Sequence, residues 1–143
     1  DLPDLYEFFS SIPTDVVVDH MGRPDVSKDP DGPEFDLFLR FMRENPNVWT
    51  KVSCPERLSI AGPRALDGEQ HAYTDVVPFA RRVVEEFPDR VLWGTDWPHP
   101  NLKDHMPDDG LLVDYIPQIA TTAQLQQKLL VDNPRRLYWP EGD

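Results

Sequence analysis

The sequence predicts an α/β protein built on a parallel sheet, and two observations carry that prediction. Three short apolar runs, Val16–Val18, Val48–Ser53 and Arg90–Thr95, are rich in β-branched residues and lack the alternation of a half-exposed strand. Such runs are typical of strands that are buried on both faces. Between them lie segments with apolar residues at helical spacing, and alternation of the two kinds of segment is the pattern of the α/β class.

Helices are predicted where apolar residues recur at helical spacing, in segments 2–9, 35–42, 73–87, 112–119 and 121–131. The third of these is the most strongly amphipathic. It contains Pro78, which must then lie in the first turn, with Thr74 or Asp75 as the N-cap. Thr121 and Gln124 have the spacing of a capping box and predict the start of the last helix.

The spacing of the strands favours a barrel over a doubly wound sheet. They begin near residues 16, 48 and 90, which are 32 and 42 residues apart, and a (β/α)8 TIM barrel uses roughly 31 residues per unit. No glycine-rich phosphate loop follows any strand. Three strands cannot close a barrel and would leave two open edges. The chain is therefore either a small open sheet or the C-terminal part of something larger.

Composition excludes several classes of function. The 143 residues include 14 Lys and Arg against 26 Asp and Glu, a net charge of −12, which argues against a nucleic acid or an anionic membrane surface as partner. No run approaches the roughly 18 apolar residues of a spanning helix. The single cysteine, Cys54, excludes an internal disulfide framework and a cysteine-built zinc site, and it favours a reducing, cytoplasmic location.

Three polar residues follow the three predicted strands: His20, Arg57 and Asp96. Functional groups of parallel α/β folds collect at the carboxyl ends of the strands. An aspartate can take a proton from water, a histidine can polarise a carbonyl group, and an arginine can hold a carboxylate. Individually, Asp96 could cap a loop, His20 could be structural and Arg57 could be a surface charge; their joint placement favours an active site.

These residues belong to motifs that resemble a known family. The segments Asp19–Gly22, Lys51–Ser53 and Leu92–His99 resemble the amidohydrolase superfamily, of the amidohydrolase 2 type. The loop from Pro98 to Gly110 and the segment Lys128–Pro134 resemble more narrowly its lactonases of 2-pyrone-4,6-dicarboxylate. The resemblance extends over essentially the whole chain. It implies that the chain is the C-terminal portion, about three βα units, of a TIM barrel.

The resemblance also implies an activity: a hydrolase that opens a lactone ring by water attack, in protocatechuate and other aromatic compound degradation. In this family the aspartate after the last strand is the general base, which is Asp96 here. The histidine after the earlier strand, His20, polarises the carbonyl group, and Arg57 binds a carboxylate of a small anionic dicarboxylate. Further candidates for substrate binding are Arg64, Arg23 and His99.

One part of the superfamily pattern is missing. The histidines are at 20, 71, 99 and 105, and none forms the His-x-His pair of the first strand. We therefore expect an N-terminal barrel half or a partner chain to supply the rest of the site. The lactonase resemblance implies no metal and no other cofactor, with a divalent metal such as zinc as the alternative. Another lactonase, a hydratase, a decarboxylase or an inactive fragment is the alternative function.

Other charged and aromatic residues near these motifs have simpler interpretations. Lys51, in the middle of a strand, is expected to pair with an acid such as Asp19 rather than to act as a site cation. Cys54 as a nucleophile would need a neighbouring base, and none is visible in the sequence. Trp93 and Trp97 flank Asp96 and are candidates to shield it from water.

Overall fold

The sheet predicted from the sequence is present in the structure, a computed structural model that describes residues 2–62, 72–100, 102 and 106–140. Strands β1 (Val16–Val18), β2 (Val48–Ser53) and β3 (Val91–Gly94) are parallel and lie in the order β1-β2-β3. Val16 pairs with Val48, and Thr50 pairs with Val91. The α/β class with a parallel sheet is therefore confirmed.

Helices connect and cover the strands, and most of them are short. In chain order they are α1 (Leu2–Ser10), α2 (Pro33–Glu44), α3 (Pro55–Leu58), α4 (Val77–Glu86), α5 (Asp109–Asp114), α6 (Ile116–Ile119), α7 (Ala123–Gln127) and α8 (Asn133–Tyr138). A π-helical turn, Lys128–Asp132, joins the last two. None of the helices in the described ranges is long and apolar enough to cross a bilayer.

The core lies between one face of the sheet and helices α2 and α4. Alternate residues of β2, Val48 and Val52, are buried in it together with Phe38 and Leu39 of α2 and Val83 of α4. Burial of this apolar surface is the main force that holds the helices on the sheet. The opposite face of β2 carries Lys51 and Ser53, so polar groups point to the side of the sheet away from this core.

The N-cap residues of two helices differ from those that the sequence predicted. Helix α4 begins after Val76, and Pro78 lies in its first turn as predicted. Asp75 does not cap it: its carboxylate accepts hydrogen bonds from the Ser59 hydroxyl and the Ile60 amide, at 2.5 and 2.7 Å. Because the Asp75 carboxylate is hydrogen-bonded to the loop at residues 59–60, it does not bind the amides at the start of α4. Helix α7, where the predicted last helix begins, starts one residue later than predicted, with Thr122 as its N-cap.

Candidate active site at the carboxyl ends of the strands

The three strands end in sharp turns, and each turn places one polar side chain over the end of the sheet. His20, Cys54 and Asp96 have φ values of 55°, 66° and 66°, in the left-handed region. Residues other than glycine adopt this region at a cost of about 1–3 kcal/mol each. Such strain is concentrated at functional sites in proteins, and here it occurs after all three strands. The turns bring together residues that are distant in sequence.

Arg57 is at the centre of this cluster. Its Nη2 donates to Asp96 Oδ2 at 2.7 Å and lies 3.1 Å from His20 Nε2. His20 Nε2 and Asp96 Oδ1 are 3.6 Å apart. The side chains are 10%, 15% and 18% exposed for His20, Arg57 and Asp96, respectively. The structure thus brings together the three residues that the sequence placed at successive strand ends, in a site shielded from most solvent.

The contacts of His20 determine its tautomer. A guanidinium group can only donate hydrogen bonds, so Nε2 faces Arg57 as an acceptor. The proton is then on Nδ1, which donates to Ser53 Oγ at 2.8 Å. Burial lowers the pKa of His20, and this outweighs the opposing effect of the Asp96 charge. His20 is therefore a neutral imidazole at pH 7, with the lone pair of Nε2 directed to the centre of the site.

Cys54 lies in the cluster but does not have the properties of a nucleophile. Its side chain is buried, and Arg57 Nε donates to Sγ at 2.7 Å. Burial raises the pKa of the thiol to about 12, despite the nearby positive charge. A thiol with that pKa is almost entirely protonated at neutral pH, and the thiolate is the nucleophilic form.

The cluster does not fit a divalent metal in this arrangement. Donor atoms of His20, Cys54 and Asp96 lie within 4.8 Å of one another. However, the guanidinium of Arg57 contacts all three of these side chains. The guanidinium lies between these side chains, where a metal ion would have to bind, and its positive charge would repel that ion. Among the described residues, this guanidinium is the cation that the site is built around.

The other predicted residues have different placements. Lys51 Nζ is 2.8 Å from Asp19 Oδ1, which confirms the predicted ion pair. Arg23 is exposed on the turn after β1, at the same end of the sheet as His20. Arg64 lies outside the described residues. Trp97 is 76% exposed and so does not shield Asp96, whereas Trp93 packs against the core.

His99, a predicted candidate for substrate binding, is buried in the described part of the chain. It is 3% exposed. Its Nδ1 is 3.2 Å from Glu56 Oε1, and its Nε2 is 3.1 Å from Asp109 Oδ1. The sequence analysis identified neither Glu56 nor Asp109 as a partner of His99. Asp108 has a structural role: its carboxylate accepts a hydrogen bond from the Gly110 amide and caps the N-terminus of helix α5.

Comparison with characterised proteins places this cluster in context. The chain is 80% identical over 141 residues to a 2-pyrone-4,6-dicarboxylate hydrolase of Comamonas testosteroni, covering 99% of this chain and 46% of that protein. It is 38% identical over 136 residues to a 4-sulfomuconolactone hydrolase of Hydrogenophaga intermedia, covering 94% of this chain and 42% of that protein. The chain therefore spans about half the length of the curated relatives it matches.

Solved structures show the same likeness. A putative 2-pyrone-4,6-dicarboxylic acid hydrolase from Pseudomonas putida superposes with a TM-score of 0.73 at 29% identity, over 100% of this chain and 50% of that one. A probable hydrolase of the same acid from Acinetobacter baumannii, with citric acid bound, gives 0.71 at 26% identity, over 96% and 48%. The model of the amidohydrolase family matches residues 1–139, so the chain belongs to the amidohydrolase family.

Proposed function

We propose that this chain carries the C-terminal part of the active site of a lactone hydrolase that acts on 2-pyrone-4,6-dicarboxylate. The observation that carries the proposal is the contact of Arg57 with both Asp96 and His20, which combines a carboxylate-binding cation with a base at one point. The 80% identity to a 2-pyrone-4,6-dicarboxylate hydrolase supports the choice of substrate.

Asp96 is the general base in this proposal. Its carboxylate takes a proton from a water molecule, and the oxygen of that water bonds to the carbonyl carbon of the lactone. The ring C–O bond then breaks, and the ring oxygen leaves with the proton that Asp96 had accepted. The ring ester becomes a carboxylic acid, which loses its proton to solvent to give the carboxylate, and Asp96 returns to its starting state.

Before this step, the partner of Arg57 must change. In the structure Asp96 Oδ2 accepts a hydrogen bond from the guanidinium at 2.7 Å, so one oxygen of the carboxylate is occupied by that contact. A substrate carboxylate binds the same guanidinium, whose Nη1 makes a long contact of 3.5 Å to Pro100 O, and so competes with Asp96. We infer that arrival of the substrate carboxylate releases Asp96. Recognition of the anion and activation of the base are then one event.

His20 completes the proposed reaction through Ser53. While Nε2 accepts from Arg57 it cannot donate to a carbonyl oxygen. The Ser53 hydroxyl, 2.8 Å from Nδ1, can act as donor or as acceptor. When Arg57 turns to the substrate, Nδ1 gives up its proton to water and Nε2 takes one from water, and the Ser53 hydroxyl then donates to Nδ1. His20 then polarises the lactone carbonyl while remaining neutral.

Local charge must overcome the charge of the whole chain. A dicarboxylate approaching a chain with net charge −12 is repelled at long range. The guanidinium of Arg57, 15% exposed, provides the attraction at short range. Arg23 at the same end of the sheet is a second cation that we propose contacts the other carboxylate, and Arg64 remains a candidate from the sequence.

We propose that the sheet is part of a TIM barrel. The chain spans 46% of a relative that is 80% identical to it and 50% of a solved structure that it matches over its whole length. The strand order leaves β1 and β3 at the two edges of the described sheet, where further strands of a barrel would pair. An N-terminal half, or a partner chain, would then provide the other residues of the site. A cytoplasmic location also stays a prediction.

The decisive experiment measures lactone hydrolysis by the full-length enzyme that contains this chain. We expect the wild type to open 2-pyrone-4,6-dicarboxylate and Asp96→Asn to lose at least about 100-fold in kcat, since an amide cannot accept the proton. Asp15→Asn is the matched control, because Asp15 is exposed just before β1, at the opposite end of the sheet. A wild type that leaves the lactone intact refutes the function, and an active Asp96→Asn refutes the role of the base.

A sulfonated lactone is the second candidate substrate. The observation in its favour is the 38% identity to a 4-sulfomuconolactone hydrolase. A guanidinium binds a sulfonate through the same paired oxygen geometry as a carboxylate. Competition between the two lactones at equal concentration gives the ratio of their kcat/KM values directly, and the substrate with the larger value is the preferred one.

A further inference from the structure

A buried polar pair lies behind the proposed active site and has no role in the chemistry described above. Glu56 Oε1 and His99 Nδ1 are 3.2 Å apart, and the side chains are 0% and 1% exposed. The second carboxylate oxygen, Oε2, has no hydrogen-bond partner among the described residues. Polar groups are rarely buried at this depth unless a specific contact requires them.

The position of this pair in the chain suggests what it does. Glu56 precedes Arg57 in helix α3, and His99 closes the turn that begins at Asp96. The pair therefore joins the two segments whose side chains meet at 2.7 Å between Arg57 and Asp96. It forms a further connection between the two segments, beside the contacts that Arg57 makes with Asp96 and, at 3.5 Å, with Pro100 O.

The two segments are not equally well supported. Helix α3 follows β2 directly, and its backbone bonds include Arg57 N to Cys54 O at 3.2 Å and Ser59 N to Pro55 O at 2.9 Å. The turn 96–99 is closed by one backbone bond, from the amide of His99 to the carbonyl of Asp96, at 2.8 Å. Asp96 and His99 both have left-handed backbones, with φ of 66° and 56°. The turn is the segment that depends on an outside contact.

We propose that Glu56 and His99 are positioning residues that hold Asp96 at the distance its role as base requires. The side chain of His99 connects the turn to Glu56 on the inside and to Asp109 on the outside. This proposal rests on the proposed function of Asp96 and adds residues to it. Its geometric part, that His99 holds the turn closed, can be tested without turnover.

His99→Asn is the most informative substitution. Asparagine tolerates a left-handed backbone better than most residues, so the turn keeps its conformational preference while the imidazole bridge is lost. We expect kcat of the full-length enzyme to fall about 100-fold, the loss that a displacement near 1 Å produces in a reacting group. KM should change less than about threefold, because Arg57 is held by its own helix.

Two variants provide the controls. Glu56→Gln keeps a hydrogen-bonding group of the same shape facing His99, and we expect it to stay within about fivefold of the wild-type kcat. Glu56→Ala removes the contact from the other side and should reproduce the loss, so the proposal is still tested if His99→Asn fails to fold. Thermal unfolding of each variant separates lost activity from lost protein.

Amide hydrogen exchange tests the turn independently of activity. The amide of residue 99 donates to Asp96 O in the native state. In His99→Asn and Glu56→Ala it should exchange at least about tenfold faster than in the wild type, while core amides such as that of Val83 keep their rates. If the wild type does not open the lactone but exchange behaves in this way, the proposed function fails and the positioning role of the pair stands.

The opposite results would overturn the proposal. Unchanged exchange at residue 99 in folded His99→Asn shows that the pair does not hold the turn. A kcat within about threefold of wild type shows that Asp96 does not depend on it. Equal losses in Glu56→Gln and Glu56→Ala, with lowered melting temperatures and normal kcat per folded molecule, show a role in stability alone.

Discussion

Arg57→Met isolates the carboxylate-binding role that we propose for Arg57. The substitution keeps an unbranched side chain of similar volume and removes the guanidinium that contacts Asp96 at 2.7 Å and His20 at 3.1 Å. A hydrogen bond to a charged group contributes about 1.5–3 kcal/mol to binding. Since 1.4 kcal/mol corresponds to a factor of ten, kcat/KM for the dicarboxylate should fall between about 10-fold and about 100-fold.

The comparison that tests the reasoning uses a lactone without ring carboxylates. For this substrate Arg57 forms no anion contact and only restrains Asp96, so Arg57→Met should lose much less, or gain. Arg57→Lys is the matched control: it keeps the positive charge without the planar donor pair and should fall between the wild type and the methionine variant. Equal losses for both lactones in steady-state assays would refute a carboxylate-binding role for Arg57.

Three other predictions concern the site and the core. Cys54, with its pKa raised to about 12 by burial, should resist iodoacetamide at pH 8 in the native protein and react within the same period in urea; rapid native alkylation would contradict the assigned burial. Because burial lowers the pKa of His20 below 6.5, the unfolded chain takes up that proton first; the free energy of unfolding is then greatest above about pH 6.5 and decreases as the pH falls towards the native pKa. Urea titrations should show that the free energy of unfolding decreases less with falling pH in His20→Gln than in the wild type. The same pH dependence in both proteins would contradict the lowered pKa of His20. Leu39→Ala, at a fully buried position, should cost about 2–5 kcal/mol in the same titrations, against less than about 1 kcal/mol for Leu5→Ala, which is 42% exposed; similar costs would contradict the described core.

The sequence predicted the elements whose signal is local. The strands are β-branched runs, and α2 and α4 have apolar residues at helical spacing, so neither prediction needed knowledge of distant contacts. The convergence of His20, Arg57 and Asp96 was also predictable, because parallel strands end at one edge of the sheet. The structure brings these three side chains into contact as that rule predicts.

The contacts that the sequence could not predict are those in which a local rule competes with a distant partner. Asp75 has the residue type of an N-cap for α4, yet its carboxylate binds the loop at Ser59. His99 lies in a loop that resembles a substrate-binding segment, yet it pairs with Glu56, 43 residues earlier. Each residue was predicted to bond a different partner, the start of α4 for Asp75 and substrate for His99. Only the fold determines which partner such a group meets.

The same reasoning explains why the turns of the site were not recognised. A left-handed backbone is usually signalled by glycine, and the sequence has histidine, cysteine and aspartate at these three positions. Glycine there would remove the strain, but it would also remove the imidazole, the thiol and the carboxylate that surround Arg57. Selection for stability alone disfavours strained residues, and here one follows each of the three strands. These residues are an argument for function that is independent of any resemblance. Their strained backbones lower the stability of the fold, and they hold a cation, a neutral imidazole and a base within hydrogen-bonding distance of one another.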